Sequence, residues 1–475
     1  MRPSSILILA GALALPAPAA AQRFDQLAPG VREMVAVSES VVALTNVRVI
    51  DGTGAAPREN QTVVIENGRI AAVGPTAGTT APAGARVLDL PGHTVFPGIV
   101  GMHNHTFYTT SFGRSVQLNY SSPRLYLGSG VTTIRTTGSM SPYSELNMRK
   151  SIDEGQIPGP RMHVTGPYIS GEGAGGGMHQ VASPEDARRV VAYWADEGAT
   201  WFKFYTLISR EAMKAAIDEA HSRGVKLTGH LCSVGYREAV SLGIDNLEHG
   251  LFANSEYDPS KEPDRCPRSA YQSLRDLDIT SDAVHATLDD MVRHNVAMTS
   301  TLAVYELSIP NRPPLEQRML DAMSPETREE YLATRQRYID NPDAASSPEV
   351  LAKAMQYERE FVRRGGLLAA GVDPTGNGGA LPGFGDQRNL ELLVEAGFTP
   401  VEALRIMTLN GAMVLGVADD LGSIAAGKIA DIVVVRGNPA DTPGDIRNVT
   451  HVFKDGVGYD PAKLIESVRG TVGIR

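Results

Sequence analysis

Cysteine is scarce in this chain, and blocks of basic residues are missing. Of 475 residues only Cys232 and Cys266 are cysteines, enough for one bridge but not for a disulfide framework. Lysine and arginine total 44 against 54 acidic residues, which gives a formal net charge of -10. An acidic protein without Lys/Arg blocks gives no reason to expect nucleic acid or anionic lipid as a partner.

Long hydrophobic runs are missing as well. The apolar run near the N-terminus, residues 6–15, is too short to anchor a protein in a bilayer. It is followed by Ala17-Pro-Ala-Ala-Ala-Gln22, and this order is typical of a secretory signal peptide over residues 1–21. No cysteine stands at the predicted cleavage site to carry a lipid. We therefore expect a periplasmic or secreted protein with no membrane insertion after signal removal.

Export matters for the two cysteines, because disulfides persist outside the cytoplasm. In the fold predicted below, Cys232 and Cys266 lie in neighbouring loops on one face. They either form a bridge or remain as two buried thiols.

Both ends of the mature chain show short alternating strands separated by turns. Residues 22–95 contain such strands around the hairpin signal Asn67-Gly68, and residues 419–475 repeat the pattern. Neither end has enough strands for a stable sheet by itself. We predict one small β-sandwich built from both termini, with a larger domain inserted between them.

The inserted domain, residues 96–418, alternates strand-like runs with helices. Four helices begin after a capping hydroxyl, at Ser183, Ser209, Ser347 and Thr399. The strand candidates are 95–103, 130–137, 161–168, 199–206, 225–231, 243–249, 296–304 and 367–373. Eight such units predict an α/β fold of the (β/α)8 TIM-barrel type, whose chemistry gathers at the C-terminal ends of the strands. A doubly wound open sheet is the alternative, but no glycine-rich phosphate loop opens the first helix.

Potential metal ligands stand at the predicted strand ends. His103 and His105 are two apart on the first strand, so both imidazoles point to one face. His230, His249 and Asp373 end strands 5, 6 and 8. Each alone is more often a polar strand end than a ligand, but the coincidence on one rim predicts a metal centre.

Lys203 lies in the middle of the aromatic fourth strand, where an ammonium is costly to bury. If its neutral amine captured carbon dioxide, the carbamate would offer one oxygen to each of two metals. His103 and His105 would hold one divalent ion, and His230 and His249 the other. Nitrogen and oxygen ligands suit zinc, with manganese, cobalt or nickel as alternatives. Two ions about 3.5 to 4 Å apart could share a hydroxide.

Asp373 is the predicted general base and acid. One of its oxygens can ligate the first metal, and the other can take the proton of the attacking water. The same carboxyl would then deliver that proton to the leaving amine.

As a set, these motifs resemble the amidohydrolase superfamily. They include Pro97-Gly-Ile-Val-Gly-Met-His-Asn-His105, Leu247-Glu-His-Gly250, Gly371-Val-Asp373, Leu409-Asn-Gly-Ala-Met-Val-Leu-Gly416 and Gly422-Ser-Ile-Ala-Ala-Gly-Lys-Ile-Ala-Asp-Ile-Val-Val434. The resemblance implies a barrel with a composite sandwich, a binuclear centre with a carboxylated lysine, and hydrolysis of amide or ester bonds. The layout is most similar to the imidazolonepropionase-related branch that contains Xaa-Pro dipeptidases and ochratoxin-type amidases.

The sequence departs from the deaminases and imidazolonepropionase at strand 5. Those enzymes place a catalytic glutamate three residues after the strand-5 histidine, whereas this chain has Ser233 there. This difference argues against ring deamination or lactam opening and favours the binuclear route.

Two further residues are candidates for contacting the substrate. Related enzymes place a Gly-Gly-His in the loop after strand 3 to polarise the scissile carbonyl; His179 resembles it with Met178 intervening, or is an ordinary loop histidine. Tyr236 is either a hydrogen-bond donor to the oxyanion or substrate carboxylate, or a tyrosine packed at a helix start.

We therefore predict a metal-dependent hydrolase that cleaves an amide-type bond in a small molecule, a dipeptide or N-acyl amino acid. An esterase, lactonase or carbamate hydrolase would use the same centre. A metal-free scaffold or binding protein is the alternative from another class. A homo-oligomer is compatible with the sequence.

Overall fold

Four ranges of the chain are described by a computed structural model, namely residues 24–110, 113–341, 346–375 and 379–474. The predicted signal peptide, residues 1–21, lies outside the described residues. No helix within these ranges is long and apolar enough to cross a membrane.

Strands from both ends of the chain form one nine-stranded sheet. Its strands are Val35–Val37, Val41–Val49, Arg58–Glu66, Arg69–Pro75, Arg86–Asp89, His93–Pro97, Ile432–Arg436, Val449–Lys454 and Val457–Tyr459. The two ends meet where Ile432–Arg436 runs antiparallel to His93–Pro97, with Val434 opposite Val95. Asn67 and Gly68 both have positive φ and turn the predicted hairpin. The strands of this sheet share a hydrophobic core of their own.

Eight parallel strand positions form the (β/α)8 barrel, and we number them 1 to 8 in chain order. They are Ile99–Asn104, Val131–Thr136, Arg161–His163 with Thr165–Ser170, Trp201–Phe204, Lys226–Gly229, Asn246–Glu248, Ala297–Ser300 and Leu368–Ala370. Strand 3 is interrupted at residue 164; its first part pairs with strand 2 and its second part with strand 4. The backbone amide of Asp373, just after strand 8, donates to the carbonyl of His103 on strand 1 at 2.8 Å, which closes the circle.

The predicted first strand, 95–103, is in fact two strands with different partners. His93–Pro97 belongs to the terminal sheet, two residues beyond the predicted boundary at residue 95, and Ile99–Asn104 belongs to the barrel. Gly98 separates them and passes so close to Thr132 that a Cβ there would lie 2.0 Å from its hydroxyl. The chain can therefore change sheets only because this residue has no side chain.

Helices cover the outside of the barrel and follow the strands in order. They are Ser121–Gly128, Pro142–Asp153, Pro184–Asp196, Arg210–Ser222, Tyr236–Leu242, Asp282–Arg293, Pro348–Arg363, Phe384–Glu395 and Pro400–Arg405. All four predicted capping hydroxyls accept a backbone N–H of the first turn, as at Ser183 and Thr399. Apolar side chains of these helices and the outward-facing strand residues form the largest hydrophobic core.

Shorter elements lie at the two ends of the barrel and in the loops. The remaining helices are Pro29–Arg32, Ala270–Asp276, Leu302–Tyr305, Gln317–Ala322, Pro325–Asp340, Gly411–Leu415 and Pro461–Glu466, with 3-10 turns at Phe24–Gln26, Gly250–Ala253, Glu306–Ser308 and Pro443–Arg447 and a π-helical turn at Ile406–Asn410. The remaining short strands are Phe107–Thr109, Ser115–Gln117 and His179–Gln180. Much of this structure lies in the long segments after strands 6 and 7.

A disulfide joins Cys232, in the loop after strand 5, to Cys266 in the loop after strand 6. Of the two alternatives that the sequence left open, the structure has the bridge. It closes a sequence separation of 34 residues and ties together two loops of the rim.

Replacing both cysteines by serine should lower the free energy of unfolding by about 4 kcal/mol, because the bridge restricts the unfolded chain. Denaturant unfolding measures this difference, and the parent protein in reductant provides the control, since it should resemble the serine variant. Equal stability of the variant and the oxidised parent would contradict the prediction.

Candidate metal centre

Six of the predicted site residues converge at the C-terminal end of the barrel. They are four histidines together with Lys203 and Asp373. The histidine rings form a continuous group, with centroids 5.3 Å apart for His103 and His105, 4.5 Å for His103 and His249, and 4.3 Å for His230 and His249. Lys203 is 2% exposed. Residues from strands 1, 4, 5, 6 and 8 thus meet in one place, because parallel strands end at the same rim.

Asp373 and Lys203 contact the first histidine pair directly. One carboxylate oxygen of Asp373 lies 3.1 Å from Nε2 of His105 and 3.5 Å from Nε2 of His103. The Lys203 amine lies 3.1 Å from Nε2 of His103. Potential ligand atoms of His103, His105 and Asp373 all lie within 4.8 Å of one another, which is close enough for one ion to reach all three.

Burial keeps the four histidines in the form that can bind a metal. Removal from water lowers the pKa of each, and the pKa of His230 falls to about 4. Each imidazole is therefore neutral near pH 7 and retains a lone pair. Burial acts to raise the pKa of Asp373, but His103, His105 and Lys203 lower it below its usual range. The site thus combines a carboxylate with neutral imidazoles.

Lys203 is also poised to lose its proton. Burial lowers its pKa to about 8, although Asp373 and Glu248 act in the opposite direction. A much larger fraction of this amine is neutral at pH 7 than for an exposed lysine. A neutral amine is the form that reacts with carbon dioxide.

Glu248 and Arg135 support the site from below, and the sequence analysis assigned no role to either. One carboxylate oxygen of Glu248 lies 2.6 Å from Nδ1 of His103. The other accepts hydrogen bonds from the Arg135 guanidinium and from two polar neighbours, Thr228 and Asn246. Arg135 and Glu248 are fully buried. A carboxylate on the second nitrogen of a ligating histidine fixes the ring and its tautomer.

The donor atoms of this group fit a divalent metal. Nδ1 of His249 lies 2.7 Å from the Thr301 hydroxyl, whereas Nε2 of His249 and Nδ1 of His105 are buried without a hydrogen-bond partner. Buried polar atoms are nearly always paired, so unpaired ring nitrogens in a group that also contains the Asp373 carboxylate are compatible with a bound ion.

Two residues of the site have backbone conformations that side chains rarely adopt. The φ angle is 68° at His249 and 53° at Asp373. Non-glycine residues are held in this left-handed region only when the surroundings over-determine them, and such strain clusters at functional sites.

The other two candidates are His179 and Tyr236. His179 is exposed in a two-residue strand that pairs with strand 3, with His179 opposite Ile169. For Tyr236 the structure does not support the first alternative, a hydrogen-bond donor to the oxyanion or the substrate carboxylate. It is the first residue of a helix and is buried, and its hydroxyl lies 2.7 Å from the Glu248 carbonyl and 2.8 Å from the Gly250 carbonyl. Its proton is committed to the backbone, so it is the packed tyrosine of the alternative.

Comparison with known proteins agrees with this architecture. Among solved structures, a Bifidobacterium longum protein assigned as a prolidase is 26% identical, with a TM-score of 0.64 over 90% of this chain and 99% of that one. A Xaa-Pro dipeptidase with bound methionine in its active site is 21% identical (TM-score 0.65, 89% and 100% covered). Ochratoxinase of A. niger is 19% identical (TM-score 0.66, 91% and 99% covered). No curated protein matches the sequence. The profile of the amidohydrolase family matches residues 94–465, and because this match spans most of the chain, the protein belongs to the amidohydrolase family and is a hydrolase.

Proposed function

We propose that this protein is an exported binuclear metallohydrolase that cleaves the amide-type bond of a dipeptide or an N-acyl amino acid. The observation that carries the proposal is the convergence of six side chains at one rim, four of them neutral imidazoles. The match to the B. longum protein assigned as a prolidase and the likeness to the Xaa-Pro dipeptidase support this class of substrate. The bridge between Cys232 and Cys266 supports an oxidising compartment and therefore export.

The residues divide between two ions, for which zinc is the first choice. His103, His105 and Asp373 would hold one, and His230 and His249 the other. Lys203 would join them as a carbamate, in which its neutral amine nitrogen bonds to the carbon of carbon dioxide and releases a proton. Bound divalent ions supply Lewis acidity, which lowers the pKa of water and polarises a carbonyl group.

Asp373 moves the proton in this proposal. Its carboxylate is ionised, lies at the mouth of the group with 13% of the side chain exposed, and is held by His105. It takes the proton of the attacking water as the new C–O bond forms. It then donates that proton to the nitrogen as the C–N bond breaks, so that an acid and an amine leave.

A substrate panel with metal removal tests the proposed function. Protein purified with zinc and bicarbonate should hydrolyse members of a set of dipeptides and N-acyl amino acids, and chelation should abolish turnover until zinc is restored. Aryl esters, lactones and carbamates form the comparison set. Turnover of esters or carbamates alone would contradict the amide assignment. No turnover and no bound transition metal would instead indicate a scaffold or binding protein.

A further inference from the structure

Two tyrosine rings contact the histidine group. Tyr205 contacts His230, with ring centroids 4.8 Å apart, and Tyr305 contacts His249 at 5.6 Å. His230 and His249 are themselves 4.3 Å apart, so each tyrosine contacts one member of this histidine pair. They lie beside the half of the centre that is assigned to the second ion.

Strand geometry explains why Tyr205 reaches the site. Trp201, Lys203 and Tyr205 are two apart, so they share one face of strand 4. The Trp201 ring lies 4.5 Å from the Arg135 guanidinium and the Lys203 amine lies 3.1 Å from His103, so this face points into the barrel. Tyr205 extends the row by one step toward the mouth. Tyr305 comes from the short helix Leu302–Tyr305 that follows strand 7.

The hydroxyls of these two tyrosines are uncommitted. In the described part of the chain, no hydrogen bond to either hydroxyl is present. Tyr168, the third tyrosine near the centre, has its hydroxyl 3.4 Å from Nε2 of His105. Tyr236 is committed to backbone carbonyls. Tyr205 and Tyr305 therefore have donors available for a bound molecule.

We propose that Tyr205 and Tyr305 donate hydrogen bonds to the carbonyl oxygen of the scissile bond as that oxygen becomes an oxyanion. This inference rests on the proposed function and supplies the oxyanion donor that the sequence analysis considered for Tyr236. Both side chains are partly buried, and a preorganised hydroxyl donor in such a position interacts strongly with a developing charge.

The test replaces each hydroxyl by hydrogen in the zinc-loaded protein, using Tyr205→Phe and Tyr305→Phe. Each variant should keep its metal content and its KM, while kcat falls by about 10²-fold, as for loss of one oxyanion donor. A dipeptide phosphonate, which mimics the tetrahedral species, should bind each variant more weakly by a similar factor. Tyr193→Phe is the matched control, because Tyr193 is 51% exposed on an outer helix, and it should change nothing.

Two results would overturn the inference. One is a kcat within about threefold of the parent in both variants. The other is a rise in KM alone, which would place the hydroxyls on a substrate carboxylate instead of the oxyanion. If the parent turns over no amide in the panel, the proposed function fails, and phosphonate binding then decides the inference separately. Equal phosphonate affinity in the parent and both variants, or no binding by the zinc-loaded parent, would reject the donor role.

Discussion

Replacing Lys203 by alanine should remove most of the bound metal and lower turnover by at least about 10³-fold, equivalent to about 4 kcal/mol of activation free energy. Lys203 lies 3.1 Å from His103 in the centre of the site, and in our proposal its carbamate supplies an oxygen to each ion. Without it, neither ion retains its full set of ligands. Metal analysis and steady-state kinetics on the purified variant measure both effects.

A chemical rescue separates loss of the ligand from loss of the fold. A short carboxylic acid can occupy the space left by Lys203→Ala and imitate the carbamate, so added acid should restore part of the metal content and turnover. Lys226→Ala is the matched control. Lys226 begins strand 5, and its amine donates to the Val414 carbonyl at 2.9 Å, away from the histidines. This control should keep its metal. Full activity in Lys203→Ala would rule out the bridging role.

Replacing Glu248 by glutamine should have the second largest effect. The variant leaves the Arg135 guanidinium buried without a counter-charge, which should cost about 3–5 kcal/mol of stability. It also weakens the support of His103, so affinity for the first ion should fall by about 10- to 100-fold. Denaturant unfolding of the metal-free protein and a metal titration measure these two quantities separately.

A second substitution distinguishes the two roles of Glu248. Adding Arg135→Met removes the unpaired charge and should recover much of the lost stability, whereas metal affinity should stay low because His103 still lacks its carboxylate. Glu262→Gln is the control for carboxylate loss, since the Glu262 side chain is 64% exposed and should change stability by no more than about 0.5 kcal/mol. Unchanged stability and metal affinity in Glu248→Gln would contradict the supporting role.

Local rules predict much of the site, because they need no knowledge of distant contacts. The two-residue period of a strand puts His103 and His105 on one face, and parallel strands bring His230, His249 and Asp373 to the same rim. The cost of burying an ammonium singles out Lys203 from its aromatic neighbours. Each of these steps uses only a few consecutive residues.

The contacts of Glu248 with His103 and with Arg135 could not be predicted in this way. Glu248 stands beside His249 in a quoted motif, but its partner His103 is 145 residues away in the chain. Nothing in the strand pattern around Arg135 tells which carboxylate pairs with it. Tyr205 is a different case. The same two-residue period that points Lys203 inward also points Tyr205 inward, so the signal was present, whereas Tyr236 begins a helix and packs beneath the rim.

Anomalous diffraction from crystals of the zinc-loaded protein tests the central claim most directly. We predict two zinc peaks per chain, one in contact with His103, His105 and Asp373 and the other with His230 and His249, and electron density for a carbamate that extends from the Lys203 nitrogen between them. No peak among these six side chains, or a Lys203 side chain directed away from the metals, would contradict it.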